Sequence, residues 1–256
     1  MKLLAEELAK PMDEPFWKTV TPLFQHLSQK ELQMFPGRNW EHGWKYTTLI
    51  CDSQLYLRYL NQQFHEAGGK VQRRRISDLS ELADFDIVIN CMGLGAKTLF
   101  HDDKLFPVRY DSPSGARWFG SRPHGSSHYY NNDGKFYVIP NLETVVLGGT
   151  TQKGSWDTSI NKEDKQRILE GCCQLVPSLK HAQVVADWAG LRPARDRVRL
   201  ELDYHQVQTA HGGAKTLPIF HNYGHGGAGI TLHWGCAQDV VQLVQNYLAQ
   251  QRTSKL

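Results

Sequence analysis

The sequence has few of the features that mark membrane proteins or nucleic-acid-binding proteins. No apolar run in its 256 residues approaches the roughly 20 residues that a membrane-spanning helix requires. Lys and Arg together number 29 and Asp and Glu 26, which gives a net charge of +3. The longest basic run is the triplet Arg73, Arg74 and Arg75, for which we expect alternation across a solvated strand. The sequence therefore predicts neither a membrane span nor a nucleic-acid partner.

Cysteine is scarce too, with five residues and no Cys-x-x-Cys pair. Cys172 and Cys173 are adjacent in a helical stretch, where small buried thiols are more common than metal ligands. The opening decapeptide MKLLAEELAK contains acidic residues, unlike a secretory signal. These features favour a reducing intracellular compartment. The final residues Ser254, Lys255 and Leu256 match the address that the peroxisomal import receptor reads, and they predict the peroxisomal matrix.

The local patterns predict an α/β chain large enough for one large domain or two small ones. A helix is expected from a cap at Asp52 or Ser53 to Gly68 and Gly69. The apolar run 87–91 is typical of a parallel strand that is buried on both faces. On the helix that starts at Asp52 or Ser53, a buried stripe is predicted at Leu55, Tyr56, Tyr59, Leu60 and Phe64. Further helices are predicted at 28–34 and 162–175. Further strands are predicted at 46–50, 71–76, 136–139, 144–147 and 217–222.

The segment 221–235, HNYGHGGAGITLHWG, is rich in glycine, with four glycines among residues 224–229. Such a backbone can adopt positive φ and can approach a flat ligand without interference from Cβ atoms. A helix N-terminus that follows the loop would favour an electron-rich or anionic group, although a tight turn before a helix has the same pattern. That amphipathic helix is predicted from the spacing of Cys236, Ala237, Val240, Val241, Val244, Tyr247 and Leu248.

His221 and His225 lie four residues apart in this segment, which is a spacing that metal sites on helices use. Because the glycine-rich segment is not helical, the spacing does not place both imidazoles on one face. No third ligand is close in the sequence, so we predict no metal site here.

Three blocks of the sequence resemble the D-amino-acid oxidase and D-aspartate oxidase family. Residues 221–235 resemble its C-terminal flavin loop, residues 189–201 (AGLRPARDRVRLE) its substrate-arginine segment, and residues 147–156 (LGGTTQKGSW) a third block. The blocks follow the family's order, and weaker similarity runs from about Glu14 onward. The resemblance implies an FAD-dependent enzyme that uses oxygen to convert D-amino acids into 2-oxo acids, ammonia and hydrogen peroxide.

The resemblance also implies a domain organisation. An incomplete Rossmann-like FAD-binding domain would comprise residues 44–105 and 191–252, interleaved with a mixed-sheet, α+β substrate-binding domain at 1–43 and 106–190. Residues 253–256 would form the peroxisomal targeting tail. The family begins with a strand and a Gly-x-Gly-x-x-Gly turn that binds the FAD pyrophosphate. Since Met1 corresponds to the first substrate-domain segment, we expect the chain to lack that dinucleotide-binding segment.

The resemblance implies roles for single residues. Arg192 would bind the substrate α-carboxylate, whose geometry matches a planar guanidinium. Tyr137 would add a hydroxyl to the same carboxylate, and the Gly227 carbonyl would accept a hydrogen bond from the substrate amino group. Without the resemblance, the sequence would favour a surface salt bridge for Arg192, and Tyr137 could be a strand tyrosine that packs on the sheet. No side-chain base is implied, and the residues implied to contact FAD are Ile76, Met92, Gly226, Gly227, Ala228, Gly229, Ile230 and Thr231.

Two departures from the family bear on the substrate. After Arg109 the family continues with Gly-Gln, whereas this chain has Tyr110 and Asp111. Similarity leans toward D-aspartate oxidases, yet Thr151 stands where that branch has a side-chain-binding arginine. Cations that could replace that arginine for D-aspartate or D-glutamate are Arg122, Lys135 and Lys153.

An alternative function remains open at this point. The chain would then be a truncated, non-catalytic member of the family that binds small carboxylates or a protein partner. The sequence also leaves open whether the chain forms a homo-oligomer.

Overall fold

The computed structural model describes residues 14–35, 41–112, 114–117, 129–130, 136–142 and 144–253. The predicted targeting residues Ser254, Lys255 and Leu256 therefore lie outside the described residues, as do Arg122 and Lys135. The chain is divided into two compact units. The first unit comprises the described residues of 1–52, 111–150 and 159–189, and the second comprises those of 53–110, 151–158 and 190–256. The assignment of a flavin-binding and a substrate-binding part stays a prediction.

The described residues form mixed α/β structure, as the sequence predicts. The helices are α1 (Gln29–Leu32), α2 (Ser53–Glu66), α3 (Gly95–Leu99), α4 (Lys162–Leu175) and α5 (Gly229–Thr253). The strands are β1 (Gln25–His26), β2 (Trp44–Lys45), β3 (Val88–Asn90), β4 (Phe106–Ser112), β5 (Ser114–Arg117), β6 (Tyr129–Tyr130), β7 (Tyr137–Pro140), β8 (Val145–Gly148), β9 (Gln152–Lys153), β10 (Gln183–Val184), β11 (Trp188–Gln208) and β12 (Ala214–His225).

The first unit contains an antiparallel sheet of five strands in the order β10-β5-β8-β7-β6. The predicted strands 136–139 and 144–147 are confirmed as β7 and β8, which form a hairpin around a turn in which Asn141 N–H donates to the Thr144 carbonyl at 2.7 Å. Helix α4 begins after Asn161, whose side chain caps it by accepting from Asp164 N–H. The hydrophobic core lies between the sheet and this helix and includes Val138, Val145, Leu147, Ile168, Cys172, Leu175, Val176 and Leu179.

The second sheet, in the order β3-β12-β11-β4-β9, belongs almost entirely to the second unit. Its edge strand β3 runs parallel to β12, which contains the predicted strand 217–222, whereas β11 and β12 are antiparallel. The sheet is therefore mixed. Its core is small and consists of two clusters, the first with Ala83, Val207, Leu217 and Ile219 and the second with Ala96, Leu105 and Tyr223.

Two predicted strands are wrong. Residues 46–50 form none, because the pairing with β1 uses Trp44 and Lys45 instead. Residues 71–76 also form none, and their side chains, Arg73, Arg74 and Arg75 among them, are mostly exposed. A strand requires a neighbour that satisfies its backbone groups, and this segment lies outside all three sheets of the described residues, the two five-stranded sheets and the pair β1-β2.

The predicted burial around α2 and β3 is also wrong. Helix α2 and its end at Gly68, which has φ +84°, agree with the sequence, yet the helix has no buried residue and Phe64 is 51% exposed. Ile89 on β3 is 48% exposed, and α5 buries only Val240. Among the described residues β12 is the only strand that pairs with β3, which therefore lies at the edge of the sheet.

In the part of the chain that the structure describes, no helix has both the length and the apolar character needed to cross a bilayer.

Candidate functional site

Arg192 on β11 lies beside the glycine-rich loop that joins β12 to α5. A Cβ atom placed on Gly227 would lie 3.7 Å from Arg192 Cδ and 3.8 Å from its Nε. The stem of the arginine therefore passes along bare main chain of the loop, and a larger residue at position 227 would project toward it. Arg192 is half-buried. Two of the residues that the sequence predicts for the substrate site are thus brought together.

The loop reverses the chain at glycines whose conformations suit no other residue as well. Gly224 has φ +91° and Gly226 has φ +57°. A 3₁₀ turn, Gly226–Ala228, then leads directly into α5. His225 is the N-cap residue of this turn, and its side chain makes no capping hydrogen bond. N–H groups at such a helix start attract negative partial charge.

These features fit the redox ring of FAD, which requires close approach to main chain and a positive dipole end. The fit rests on the bare backbone at Gly227 and the uncapped start of α5. The predicted contact residues Ala228, Gly229, Ile230 and Thr231 lie at this start. Ile230 is 51% exposed, so an apolar surface is available next to the loop.

A β-bulge just beyond Arg192 shapes the loop. Ala194 pairs with His225 and Arg199 with Tyr223, so residues 195–198 of β11 stand opposite Gly224 alone. A Cβ atom on Gly224 would lie 2.9 Å from Arg195 Cβ, which is closer than real contacts allow. Because bulges redirect the strand in which they occur, this one sets where β11 carries Arg192 relative to the loop.

A buried hydrogen-bond network supports the bulge. The Asp102 carboxylate oxygen Oδ2 accepts from Arg195 Nε at 2.9 Å and from the Tyr223 hydroxyl at 2.8 Å. Arg199 Nη1 donates to the same Tyr223 hydroxyl at 3.1 Å. Burial opposes ionisation of Asp102, yet the hydrogen bonds from Tyr223 and Arg195 outweigh it, and the pKa of Asp102 lies below its usual value. The network therefore fixes the bulge through a charged group.

Met92 adjoins the Arg192 segment, while Ile76 does not form part of a regular element. Met92 follows β3, and its N–H donates to Asn90 Oδ1 at 3.1 Å. The next residue, Gly93, has φ +56°, and a Cβ there would lie 3.4 Å from Pro193. Ile76 is half-buried in a stretch without strand structure. Both remain predictions as FAD contacts.

Tyr137 belongs to the first unit, on β7, opposite Gly148 on β8. Its ring occupies the space that a side chain on the facing strand would fill, since a Cβ on Gly148 would lie 1.9 Å from Tyr137 Cζ. A Cβ on Gly149 would lie 2.9 Å from Tyr137 Cε1. The two glycines of the block 147–156 therefore fix where the tyrosine ring lies. Its predicted role toward the carboxylate remains a prediction.

Asp203, His205 and His221 form the one group of possible metal ligands among the described residues, with ligand atoms within 4.8 Å of one another. Two contacts argue against a metal there. Arg199 Nη2 already donates to Asp203 Oδ2 at 2.9 Å. The Asn90 amide must direct its nitrogen to His221 Nδ1, at 3.0 Å, because its oxygen accepts from the Met92 N–H. The neutral imidazole then carries its proton on Nε2, the atom that faces Asp203 and would have to bind the metal.

Residues 4–243 match the family model described as FAD dependent oxidoreductase. The chain belongs to this family. It is 39% identical over 245 residues to the D-aspartate oxidase of Homo sapiens, covering 95% of this chain and 68% of that protein. It is 34% identical over 244 residues to a D-amino acid oxidase of Dugesia ryukyuensis, covering 93% of this chain and 70% of that protein. The resemblance to the D-amino-acid oxidase and D-aspartate oxidase family is thereby confirmed.

Solved structures show the same fold at lower identity. Glycine oxidase from Geobacillus kaustophilus superposes with a TM-score of 0.69 at 18% identity, over 90% of this chain and 65% of that one. Iminodiacetate oxidase from Chelativorans sp. BNC1 gives a TM-score of 0.62 at 16% identity, over 87% and 63%. The mixed α/β fold predicted from the sequence is therefore confirmed. The chain spans about two thirds of the length of the relatives it matches.

Reasoning from the sequence did not find Asp102, Tyr110, Arg195 or Tyr223 as residues around the site. Asp102 gave no signal, because an acidic residue after a short helix is usually solvated. Tyr110 does give a signal in the sequence, since it replaces the glycine that the family resemblance leads one to expect. Arg195 is one of several arginines in the segment 189–201, and nothing in the sequence distinguishes it from Arg197 and Arg199.

Proposed function

We propose that the chain is an FAD-dependent oxidase of D-amino acids that forms 2-oxo acids, ammonia and hydrogen peroxide. The observation that carries the proposal is the position of the Arg192 stem beside Gly227, where a Cβ atom would lie 3.7 Å from Arg192 Cδ. It is supported by the family and by relatives that are themselves named D-aspartate oxidase and D-amino acid oxidase. These relatives make the non-catalytic alternative the less favoured one.

In this proposal Arg192 pairs with the α-carboxylate through two parallel hydrogen bonds. The Gly227 carbonyl accepts from the substrate amino group, so that carboxylate and amine are held at two fixed points. The third substituent and the Cα–H bond then have one orientation for a D-amino acid and the opposite one for an L-amino acid. Such orientation can lower the barrier by several kcal/mol. No side-chain base is required if the amine binds in its neutral form.

FAD would be held by Gly226, Gly227, Ala228, Gly229, Ile230 and Thr231, with Ile76 and Met92 toward its nucleotide half. Bound FAD would accept the hydrogen and electron pair from the substrate and pass the electrons to oxygen. The chain's own residues would bind and orient the substrate and present the positive end of α5 to the cofactor. Tyr137 is included as a second donor to the carboxylate.

An acidic substrate is the finer part of the proposal. The relative at 39% identity is named D-aspartate oxidase. Of the three candidate cations, Lys153 is within the described residues, where its Nζ lies 4.6 Å from the centre of the Phe106 ring. We propose that D-aspartate or D-glutamate is favoured over D-alanine and that one of these cations binds the side-chain carboxylate.

The test measures peroxide and 2-oxo acid formed by the purified chain, supplied with FAD, from D-alanine, D-aspartate and their L-enantiomers. We expect turnover of the D-enantiomers alone. Arg192→Leu should abolish it, whereas Arg197→Leu, which removes the same charge from an exposed neighbour, should not. A chain that retains FAD but oxidises neither D-amino acid, or an Arg192→Leu variant with full activity, would overturn the proposal.

We also propose a peroxisomal location, where catalase would remove the peroxide. The import receptor reads Ser254, Lys255 and Leu256 when they end the polypeptide. A fluorescent protein fused to the N-terminus should accumulate in peroxisomes, and deletion of Leu256 should leave it in the cytosol. Equal distributions of the two fusions would overturn the proposed location.

A further inference from the structure

We infer that Tyr110 is a positioning residue that orients the Arg192 guanidinium for the substrate carboxylate. The inference rests on the proposed function, in which Arg192 binds that carboxylate. Tyr110 lies on β4 and Arg192 on β11, which are neighbouring strands of one sheet. The guanidinium carbon Cζ lies over the tyrosine ring, 4.2 Å from its centre.

The backbone leaves room for this contact at Gly190. A Cβ atom there would lie 2.8 Å from Tyr110 Cε1 and 2.9 Å from its hydroxyl oxygen. Any side chain at position 190 would therefore push the ring away from its place beside β11. Gly190, two residues before Arg192, is buried. The close approach of ring and strand requires glycine here.

The stacking geometry determines how the arginine can be used. A guanidinium directs its N–H groups outward in its own plane, and a carboxylate meets that edge with two parallel hydrogen bonds. An aromatic ring binds the flat face instead and leaves the bidentate edge geometry intact. Tyr110 therefore sets the plane of the guanidinium while Gly227 main chain borders its stem. A substrate carboxylate that approaches in this plane finds its partner already oriented.

The contact is a feature of this chain's own sequence at position 110. The family resemblance leads one to expect glycine after Arg109, and glycine has no ring to stack. Tyr110 thus offers a means by which this chain sets its affinity for carboxylates. Its removal should raise the dissociation constant of the substrate while the turnover of bound substrate changes less.

The experiment compares Tyr110→Leu, which removes the aromatic face at similar volume, with Tyr110→Phe, which retains it. Tyr204→Leu serves as the matched control, because Tyr204 is an exposed tyrosine of the same sheet. The first readout is the NMR signal of the Arg192 Nε–H, assigned by its loss in Arg192→Lys. Ring stacking should shift this signal in the wild type, Tyr110→Phe and Tyr204→Leu, and Tyr110→Leu should abolish the shift.

The second readout is the affinity of the FAD-loaded chain for propionate, which keeps the carboxylate of D-alanine but has no amine to oxidise, together with KM and kcat for D-alanine and D-aspartate in the presence of oxygen. We expect Tyr110→Leu to weaken binding and raise KM by about 3- to 30-fold, with kcat changed much less. Tyr110→Phe should restore wild-type affinity. Equal affinity of the wild type and Tyr110→Leu would overturn the role of Tyr110 and leave the proposed function standing. A wild-type chain that retains FAD but oxidises neither D-alanine nor D-aspartate would overturn the proposed function itself.

Discussion

The Arg195 guanidinium donates through Nε to the Asp102 carboxylate at 2.9 Å, and both side chains are at least 90% buried. Arg195 is the first residue of the bulge opposite Gly224. The pair therefore ties the connection between α3 and β4 to the bulge that follows Arg192. Loss of this buried ion pair should therefore have a measurable effect on the stability of the fold.

Removal of the Asp102 charge should destabilise the fold. Asp102→Asn leaves the buried Arg195 guanidinium with only the exposed Asp196 carboxylate, 3.4 Å from its Nη1, as a counter-charge, and the loss of a buried ion-pair partner typically costs about 3–5 kcal/mol. Asp103→Asn is the matched control, because the Asp103 side chain is fully exposed and its contact with Lys97 is long, at 3.8 Å. The control should change the free energy of unfolding by less than about 0.5 kcal/mol. Urea denaturation of both variants measures the difference, and equal midpoints would contradict this account.

The same carboxylate predicts a dependence of stability on pH. The pKa of Asp102 is lower in the folded protein than in the unfolded chain, so its contribution is fully present above the unfolded value of about 3.9. It is lost as the pH falls through the lower, folded value. The stability difference between wild type and Asp102→Asn should therefore be constant near neutral pH and shrink below about pH 4. A difference that persists undiminished into strong acid would contradict the assignment.

Regular elements with strong local signals could be predicted from the sequence, and burial could not. The helix 162–175 and the hairpin around Pro140 and Asn141 are each determined by caps, turn residues and neighbours close in the chain. The burial of Leu55 or Ile89 depends instead on which layers cover them. Amphipathic spacing shows that a face is apolar and does not show what packs on it.

The sequence identifies the candidate-site residues that lie in its characteristic blocks. It does not identify the residues that support them from other segments. Arg192 and Gly227 were identified from sequence blocks, and the structure places them side by side. Asp102 and Tyr110 come from other segments, and their relation to Arg195 and Arg192 arises only when the sheet forms. The sequence shows such residues as an ordinary aspartate and an ordinary tyrosine.

His221 predicts a second dependence of stability on pH. It arises from the burial of a neutral base, whereas that of Asp102 arises from a charged acid. Its side chain is fully buried, and burial, with the nearby charge of Arg199, lowers its pKa from 6.5 to about 4. Between these values the unfolded chain binds more protons than the folded protein, so stability falls as the pH falls from 6.5 to 4. Over this range the shifted pKa of His221 lowers the free energy of unfolding by roughly 3 kcal/mol.

NMR titration of the wild-type imidazoles tests this directly. The His221 signal should titrate near pH 4. A His221→Gln variant should lose the corresponding slope in denaturation experiments. Titration of His221 near pH 6.5 would contradict the proposed burial of a neutral ring.

Gly148 should tolerate no side chain, because the Tyr137 ring occupies that space. We expect Gly148→Ala to lower the free energy of unfolding by about 1–3 kcal/mol through overpacking. Combination with Tyr137→Leu should recover part of this loss, which a double-mutant cycle measures as coupling. Gly235→Ala is the control, since a Cβ there meets nothing within 4 Å and alanine favours the helix. Additive effects in the cycle would contradict the contact.

The most direct test of the central claim asks whether Arg192 recognises a carboxylate beside the loop. Isothermal titration of the FAD-loaded chain would compare propionate, which keeps the carboxylate of D-alanine but has no amine to oxidise, with its neutral amide, propionamide. Propionate should bind to the wild type, propionamide should not, and Arg192→Leu should bind neither. Equal binding of the two compounds, or propionate binding that survives Arg192→Leu, would contradict the role of Arg192.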